Sequence, residues 1–331
     1  MKLTKCMLNG VPQLRKLLFF ILLSLIAILM TSCQMFDKKH VDKIGILIEG
    51  PLEENSWEER GYNGLIEVKE QFDIHIFLEE NVNSQYAISR AVSELVDDGV
   101  TLIFGHGNFY GKYFNEIAEQ FPDVHFVYFN GGYYKDNLTS LNFDSHAMGF
   151  FSGMIAGKVT ETNQIGIVAA HEWQPEIEGF YEGVKFENPQ SDVHINFVND
   201  WNKQERVKKI YDQMISKDVD VIYPTGELFS EELLERAVDD HIFAIGYGID
   251  QSYINEQIVL TSTIQHVDKL YIVAVKKAVN DTLSGGVFYY DFQDGVISLG
   301  PFSEEIPHDY QRMINDYIET YKNSNLLPNE L

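Results

Sequence analysis

Cysteine is scarce in this chain, with only Cys6 and Cys33 among 331 residues. Two cysteines cannot build a disulfide framework, so stability must come from an ordinary apolar core. The composition allows one, because 45% of residues are hydrophobic and 13% are aromatic. The stretch 34–331 is long enough for two domains or one large domain, at roughly 100 to 200 residues per domain.

Basic residues are also few, at 25 against 50 acidic residues. If the segment before Cys33 is removed, 21 basic residues remain and the formal net charge is −29. Such a surface repels phosphate backbones. The basic pairs Lys208-Lys209 and Lys276-Lys277 fall on predicted helix faces and form no larger patch. We therefore expect no direct nucleic-acid partner.

Acidic residues are absent before Asp37, and the chain there has a basic head followed by an apolar run from Leu17 to Met30. This layout is typical of a secretory signal. The apolar run is shorter than the roughly 20 residues of a comfortable transmembrane helix. The basic residues of the head are Lys2, Lys5, Arg15 and Lys16.

The end of this run, Met30-Thr31-Ser32-Cys33, resembles a bacterial lipobox. The resemblance implies a signal peptide over 1–32, a lipid (palmitate-type) anchor on Cys33 and a tether over 33–42. Two acyl chains give stable membrane anchoring where one is marginal. The alternative is an uncleaved anchor helix. Either way, we expect the rest of the chain at the extracytoplasmic face of the cell membrane.

Beyond the tether, short apolar runs alternate with amphipathic helical stretches, which predicts βαβ units and parallel sheets. The rhythm restarts after a predicted helix near 147–160. The predicted fold class is therefore α/β, with two Rossmann-like lobes and a central cleft. The predicted strands are 44–48, 74–78, 101–104, 124–129, 140–143, 165–169, 193–197, 219–223, 243–247, 259–263 and 288–292.

We predict an N-terminal lobe from 43–145 plus part of 260–331, and a C-terminal lobe from 146–259. Ligands of open α/β sheets bind beyond the carboxyl ends of the strands. The loops expected to face the cleft are 49–57, 105–112, 169–174, 224–229, 247–251 and 262–266.

Several of these loops carry side chains suited to a small planar molecule with hydroxyl groups. The stretch Glu54-Asn55-Ser56-Trp57 combines hydrogen-bond acceptors with a flat ring, and Trp173 offers a second ring from the other lobe. Asp250 can accept two hydrogen bonds from a ribose diol. Alternatively, both tryptophans only pack at the surface of their lobes, and Asp250 only caps a turn.

The residues 54–65, with Glu54, Trp57 and Tyr62-Asn63-Gly64-Leu65, together with 147–153 and 259–262, resemble the basic membrane lipoprotein (BMP) family of substrate-binding proteins. The resemblance covers about 44–300. It implies the type I periplasmic-binding fold and a nucleoside-like ligand delivered to an ABC transporter permease. The chain has Glu54 and Glu58 where nucleoside-binding members have Asp and Asn, and Gln265 where they have Lys.

The resulting set of expected ligand-binding residues is Glu54, Asn55, Trp57, Glu58, His106, Trp173, Gly226, Asp250 and Gln265. No cofactor and no metal are expected, since single histidines such as His106 and His171 lack the converging donors of a metal site. The chain also lacks the Gly-x-Ser-x-Gly and His-Glu-x-x-His signatures of hydrolases.

Further motifs, including 104–107, 173–176, 219–224 and 289–296, resemble a branch of the family described as positive regulators of genetic competence in bacilli. We therefore expect an extracytoplasmic binding lipoprotein, not an enzyme, that supplies a permease or reports to a membrane regulatory partner. Two alternatives stay open: a cytoplasmic transcriptional regulator, and a nucleoside-cleaving enzyme.

Overall fold

The structure is a computed structural model that describes residues 41–52, 57–200 and 203–331. The predicted signal peptide, Cys33, and the site residues Glu54 and Asn55 lie outside the described residues. Among the helices that the structure describes, none is both long and apolar enough to cross a membrane.

The first sheet contains six parallel strands in the order β11-β5-β4-β3-β1-β2. Strand β11, which comes more than 140 residues after β5 in the sequence, pairs in parallel with β5 at one edge of this sheet. The strands are β1 (Lys43–Leu47), β2 (His75–Glu79), β3 (Leu102–Gly105), β4 (His125–Phe129), β5 (Leu138–Phe143) and β11 (Gly286–Tyr290).

Amphipathic helices cover the first sheet, as the spacing of apolar residues predicts. In α2, for example, Ile88, Ala91, Val92 and Leu95 are buried, and the Ser84 side chain caps the helix by accepting a hydrogen bond from the Ala87 amide. The helices of this lobe are α1 (Trp57–Phe72), α2 (Gln85–Asp97), α3 (Phe109–Ile117) and α8 (Val267–Val279).

The second sheet also has six strands, in the order β12-β10-β9-β8-β6-β7, and only β12 runs antiparallel to its neighbour. Its strands are β6 (Gln164–Ala169), β7 (Asp192–Phe197), β8 (Val221–Thr225), β9 (Phe243–Gly248), β10 (Val259–Gln265) and β12 (Ile297–Leu299). Its flanking helices are α5 (Pro175–Glu187), α6 (Gln204–Ile215) and α7 (Glu227–Asp240). The last α-helix of the described residues is α9 (His308–Ser324).

Helix α4 (His146–Val159) links the two sheets and is apolar on every side, with residues 147–157 all buried. It packs against α5 with backbone touching backbone. A Cβ placed on Gly153 would lie 2.1 Å from the Phe180 carbonyl oxygen, and one on Gly183 would lie 1.9 Å from that of Phe150. Only glycine permits this helix–helix distance.

The architecture confirms the predicted α/β fold with two Rossmann-like lobes. The division of the chain at 145/146 and 259/260 stays a prediction. We note that β10 (Val259–Gln265) pairs with β9 in the second sheet, whereas β11 returns to the first sheet. The chain therefore passes between the sheets three times, through α4, between β10 and β11, and between β11 and β12.

Candidate functional site

A cavity of about 330 Å³ lies between the lobes, beyond the carboxyl ends of strands from both sheets. This is the position where open α/β sheets bind ligands, and the volume falls at the lower end of small-molecule sites. The first lobe contributes Glu49, Trp57, Glu58, Arg60, His106, Gly107, Asn108, Asn130, Phe143 and Ser145. The second sheet and its loops contribute Trp173, Gln174, Pro175, Glu176, Glu227, Leu228, Tyr247, Gly248 and Gln265.

Trp57, the first residue of α1, is held in place by His106. The two rings stack with their centroids 4.5 Å apart and 17° between their planes. His106 Nε2 lies 2.6 Å from the Trp57 carbonyl oxygen, and Nδ1 lies 2.8 Å from the Tyr271 hydroxyl. Because a carbonyl can only accept, Nε2 carries the proton and Nδ1 accepts from Tyr271. One face of the Trp57 ring is therefore covered by protein.

His106 itself is buried, with 2% of its surface exposed. The His106 ring has room beside α1 because residue 61 is glycine. A Cβ at that position would lie 2.3 Å from His106 Cε1. Burial lowers the pKa of His106 to about 3, against the opposing effect of its hydrogen bond to Trp57, and the positive charge of Arg60 lowers it further. The ring is therefore neutral at physiological pH and supports the tautomer above.

This buried histidine predicts a pH dependence of stability. The unfolded chain binds a proton on His106 near pH 6.5, whereas the folded chain does so only near pH 3, so stability falls as pH drops through that window. Glutamine at position 106 cannot titrate. Between pH 6.5 and pH 4.5 we therefore expect the free energy of unfolding of His106→Gln to fall by about 2 kcal/mol less than that of the wild type. Urea unfolding at the two pH values measures this difference.

Burial also raises the pKa of Glu49 and of Glu176, but both groups are present in the wild type and in the variant, so their effect cancels in the comparison. His308, which is exposed, provides the control, and His308→Gln should follow the wild type. Parallel pH profiles for wild type and His106→Gln would contradict the assignment of a neutral, buried His106.

The second lobe presents a buried hydrogen-bond network to the same cavity. Gln174 Nε2 donates to a Glu176 carboxylate oxygen and to the Thr225 carbonyl, both at 2.9 Å, and lies 3.2 Å from the Tyr247 hydroxyl. Glu176 is only 2% exposed, and burial raises its pKa despite the hydrogen bonds from Gln174 and Tyr247. A carboxyl group of this kind can either accept from a ligand or, when protonated, donate to one.

Arg60 joins the two walls of the cavity. Its guanidinium forms an ion pair with Glu227, in the first turn of α7, and Nη1 donates to the Gly248 carbonyl at 3.0 Å. The guanidinium carbon also lies 5.2 Å from the centroid of the Trp57 ring. Within the described lining, Arg60 is the sole lysine or arginine.

Carboxyl groups dominate the charge of the cavity, with Glu49, Glu58, Glu176 and Glu227 in its lining. Burial raises the pKa of Glu49, and the nearby charge of Glu58 adds to this. Burial also raises the pKa of Glu227, although Arg60 opposes the shift. The cavity is therefore rich in hydrogen-bond acceptors and unfavourable for anions.

Of the expected ligand-binding residues, the structure brings Trp57, Glu58, His106, Trp173 and Gln265 to the cavity lining. His106 lies behind Trp57. Trp173 is 53% exposed, and its ring stacks on that of His171 with the ring centroids 5.3 Å apart. Gln265 Nε2 lies 3.4 Å from the Ser145 hydroxyl, at the start of α4.

Two expected residues lie outside the lining. Asp250 Oδ1 accepts a hydrogen bond from the Ser252 amide at 3.0 Å, as in a turn cap, and its role as a diol acceptor stays a prediction. Gly226 caps the start of α7, where a Cβ would lie 2.1 Å from the Phe229 ring, and its neighbours Glu227 and Leu228 face the cavity instead.

Sequence reasoning missed Glu49, Arg60, Glu176, Glu227 and Tyr247. Glu49, Glu227 and Tyr247 fall in loops or strand ends already expected to face the cleft, so loop position could have found them. Arg60 and Glu176 lie in the first turns of helices, where charged residues are common and carry no functional signal.

The two lobes, their mostly parallel sheets and the cleft between them match the fold of solved ABC transporter solute-binding proteins, the type I periplasmic-binding fold. The sequence profile of one such family, the Bmp family, described as ABC transporter substrate-binding protein PnrA-like, matches residues 41–325. The chain belongs to this family, which confirms the resemblance to basic membrane lipoproteins.

The individual relatives include proteins named as transcriptional activators and one named as purine-binding. The transcriptional activator protein med of Bacillus subtilis is 36% identical over 304 residues, covering 92% of this chain and 96% of med. A crystal structure of a transcriptional activator of the comK gene from Bacillus halodurans is 41% identical, with a TM-score of 0.81, covering 86% of this chain and 99% of that one. A purine-binding protein of Brucella abortus is 24% identical over 292 residues, covering 86% of this chain and 82% of the relative.

Proposed function

We propose that this substrate-binding protein is a lipid-anchored extracytoplasmic lipoprotein whose cleft binds a small, neutral, nucleoside-like molecule. The observation that carries the proposal is the cavity between the lobes, with the ring of Trp57 on one side and carboxyl groups on both. A planar base can stack on an aromatic ring, and its N–H groups and the sugar hydroxyls can donate to carboxylates.

The charge of the cavity supports a neutral ligand over a phosphorylated one. Glu49, Glu58 and Glu176 face the cavity in addition to the paired Glu227, and Arg60 is already engaged with the second lobe. A phosphate would meet more negative than positive charge there. The purine-binding relative from Brucella abortus also supports a nucleoside-like ligand.

His106 covers one face of the Trp57 ring, and the Arg60 guanidinium carbon lies 5.2 Å from the ring centroid. We propose that the base stacks on the part of the ring that these two side chains leave open, between Trp57 and Trp173 of the opposite lobe. Nucleoside-binding members have Asn and Lys where this chain has Glu58 and Gln265. Here the ligand would form hydrogen bonds with a carboxylate and an amide instead. Asp250 is not included in this proposal, since it caps a turn.

We further propose a role like that of the relatives named as transcriptional activators, exerted from the membrane. The bound or free state would be reported to a permease or another membrane protein, and the effect on competence genes would be indirect. The acidic composition supports an indirect effect, since direct DNA binding depends on clustered basic residues.

Calorimetry of the protein with adenosine, guanosine, inosine and their monophosphates tests the ligand class. We expect nucleosides to bind more tightly than their monophosphates. Trp57→Phe should keep affinity within about threefold, whereas Trp57→Leu should weaken it about three- to tenfold, because stacking contributes ~0.5–1.5 kcal/mol beyond burial. Tyr86→Leu removes an exposed aromatic ring from α2, outside the cavity lining, and should change nothing. A monophosphate that binds more tightly than its nucleoside would disprove the proposed ligand class.

A further inference from the structure

Arg60 is placed to control how the two lobes sit against each other. It belongs to α1 of the first lobe, yet its guanidinium binds Glu227 and the Gly248 carbonyl, which are 167 and 188 residues away in the second. Two guanidinium nitrogens are thus fixed to two separate elements, α7 and β9. An arginine held at two points in this way fixes orientation as well as distance.

The environment of this contact makes it stronger than a surface ion pair. The side chains of Arg60 and Glu227 are 16% and 26% exposed. Exposed ion pairs contribute little because water screens them, whereas hydrogen bonds between charged groups shielded from water are among the strongest in proteins. Breaking the contact on one side would also leave the other charge half-buried without its partner.

Other ion pairs among the described residues do not join the lobes at the cleft. Arg236 and Asp212, for example, connect α7 to α6 within the second lobe, and Lys135 and Glu119 lie within the first. Apolar packing around α4 holds the lobes together on the side where the chain crosses between them. The Arg60 contact is the charged connection across the cleft itself.

The third guanidinium nitrogen of Arg60, Nε, does not take part in the contact with the second lobe. Arg60 Nε is buried and has no hydrogen-bond partner among the described residues. Both Nη nitrogens bind the second lobe and so help to close the cleft, whereas Nε makes no contact across it. An acceptor atom brought by a ligand can complete it without breaking the contacts to Glu227 or Gly248.

We propose that Arg60 is a latch that holds the cleft closed in the protein without ligand. Closure does not have to wait for a ligand, because the contacts that join the lobes come from the chain itself. A ligand then adds to a closed state that is already populated. This inference goes beyond the proposed function, since it concerns the free protein and holds for any ligand class.

The distance between the lobes tests the latch directly. Spin labels at Lys112→Cys in α3 and Glu231→Cys in α7 mark exposed positions on helices that start at the cleft, one in each lobe. The full chain in detergent, with Cys6→Ser and Cys33→Ser to keep the labels specific, is measured by double electron–electron resonance without added ligand. We expect a predominantly short distance in this background.

Arg60→Gln should shift the population to longer distances, with the closed-to-open ratio falling about tenfold or more. Arg236→Gln is the matched control, because it removes an arginine–carboxylate pair inside one lobe, and its distances should equal those of the background. Glu227→Gln breaks the same contact from the other lobe and should also open the cleft, so the test survives if Arg60→Gln does not fold. Adding Glu227→Gln to Arg60→Gln should open it little further.

Three results would overturn the latch: a mostly open background, an Arg60→Gln distribution that matches the background, or equal opening by Arg236→Gln. Because no ligand is present in the experiment, its outcome is separate from that of the nucleoside titrations. A closed free protein that binds no nucleoside would keep the latch and reject the ligand class.

Discussion

Gly183→Ala is expected to destabilise the protein by about 2–4 kcal/mol, with the melting temperature falling by roughly 6–12 °C. The added Cβ would lie 1.9 Å from the Phe150 carbonyl oxygen, which belongs to the backbone of α4 and cannot move aside as a flexible side chain could. Helices α4 and α5 must therefore separate. The gain in helix propensity from glycine to alanine, about 1 kcal/mol, offsets part of the loss.

Separation of these helices would also reach the cavity, because Gln174 and Glu176 lie at the start of α5. Thermal or urea unfolding measures the loss. Gly132→Ala is the control, since no atom of the described residues lies within 4 Å of its added Cβ, and its stability should stay within about 0.5 kcal/mol of the wild type. Equal stabilities for Gly183→Ala and Gly132→Ala would contradict the close contact of the two helices.

Cys33→Ser is expected to abolish lipid anchoring. The proposed anchor carries two acyl chains, each methylene of which contributes about 0.8 kcal/mol of membrane affinity, so no set of surface contacts can replace it. Metabolic labelling with palmitate should disappear, and the protein should either leave the membrane fraction or keep its signal segment uncut. Gel mobility, labelling and fractionation of cells that express the variant distinguish these results.

The other cysteine provides the control for this experiment. Cys6 precedes the apolar run, inside the segment expected to be removed, so Cys6→Ser should label and fractionate like the wild type. If Cys33→Ser also incorporates palmitate and stays in the membrane as the wild type does, the anchor proposal is wrong.

Most of the fold could be predicted because buried parallel strands leave a strong pattern of short apolar runs. Each predicted strand overlaps an observed one, from Lys43–Leu47 to Gly286–Tyr290. The strand Ile297–Leu299 was missed because three residues are too few to show a period. The strand order could not be predicted, since the return of β11 to the first sheet depends on contacts between distant parts of the chain.

The candidate site was predictable by location but not by role. Trp57 and Trp173 could be placed at the cleft because both lie in predicted loops that follow the carboxyl ends of predicted strands. The role of Arg60 could not, since an arginine after two glutamates in the first turn of a helix resembles any solvated charge. Its partner Glu227 lies 167 residues away, and only the folded lobes bring them together.

His106 and Asp250 illustrate a second limit, because the sequence does not show which polar residues of a cleft-facing loop already have a partner, and their contact with a ligand stays a prediction. Each has a partner within the protein: the Trp57 carbonyl and Tyr271 hydroxyl for His106, and the Ser252 amide for Asp250. Sequence shows that a side chain can form hydrogen bonds, but not whether the chain already supplies the partner.

The position of β11 at the edge of the first sheet also fixes an order of events during synthesis. Strand β5 is buried along its whole length, including Thr139, Ser140 and Asn142, because β11 covers its outer edge. A ribosome delivers residues 286–290 long after 138–143, so β5 can pair with β4 but must wait with its outer edge unpaired, and such an open edge is a known starting point for aggregation. The first lobe to be made therefore cannot complete its sheet until residues 286–290 have emerged.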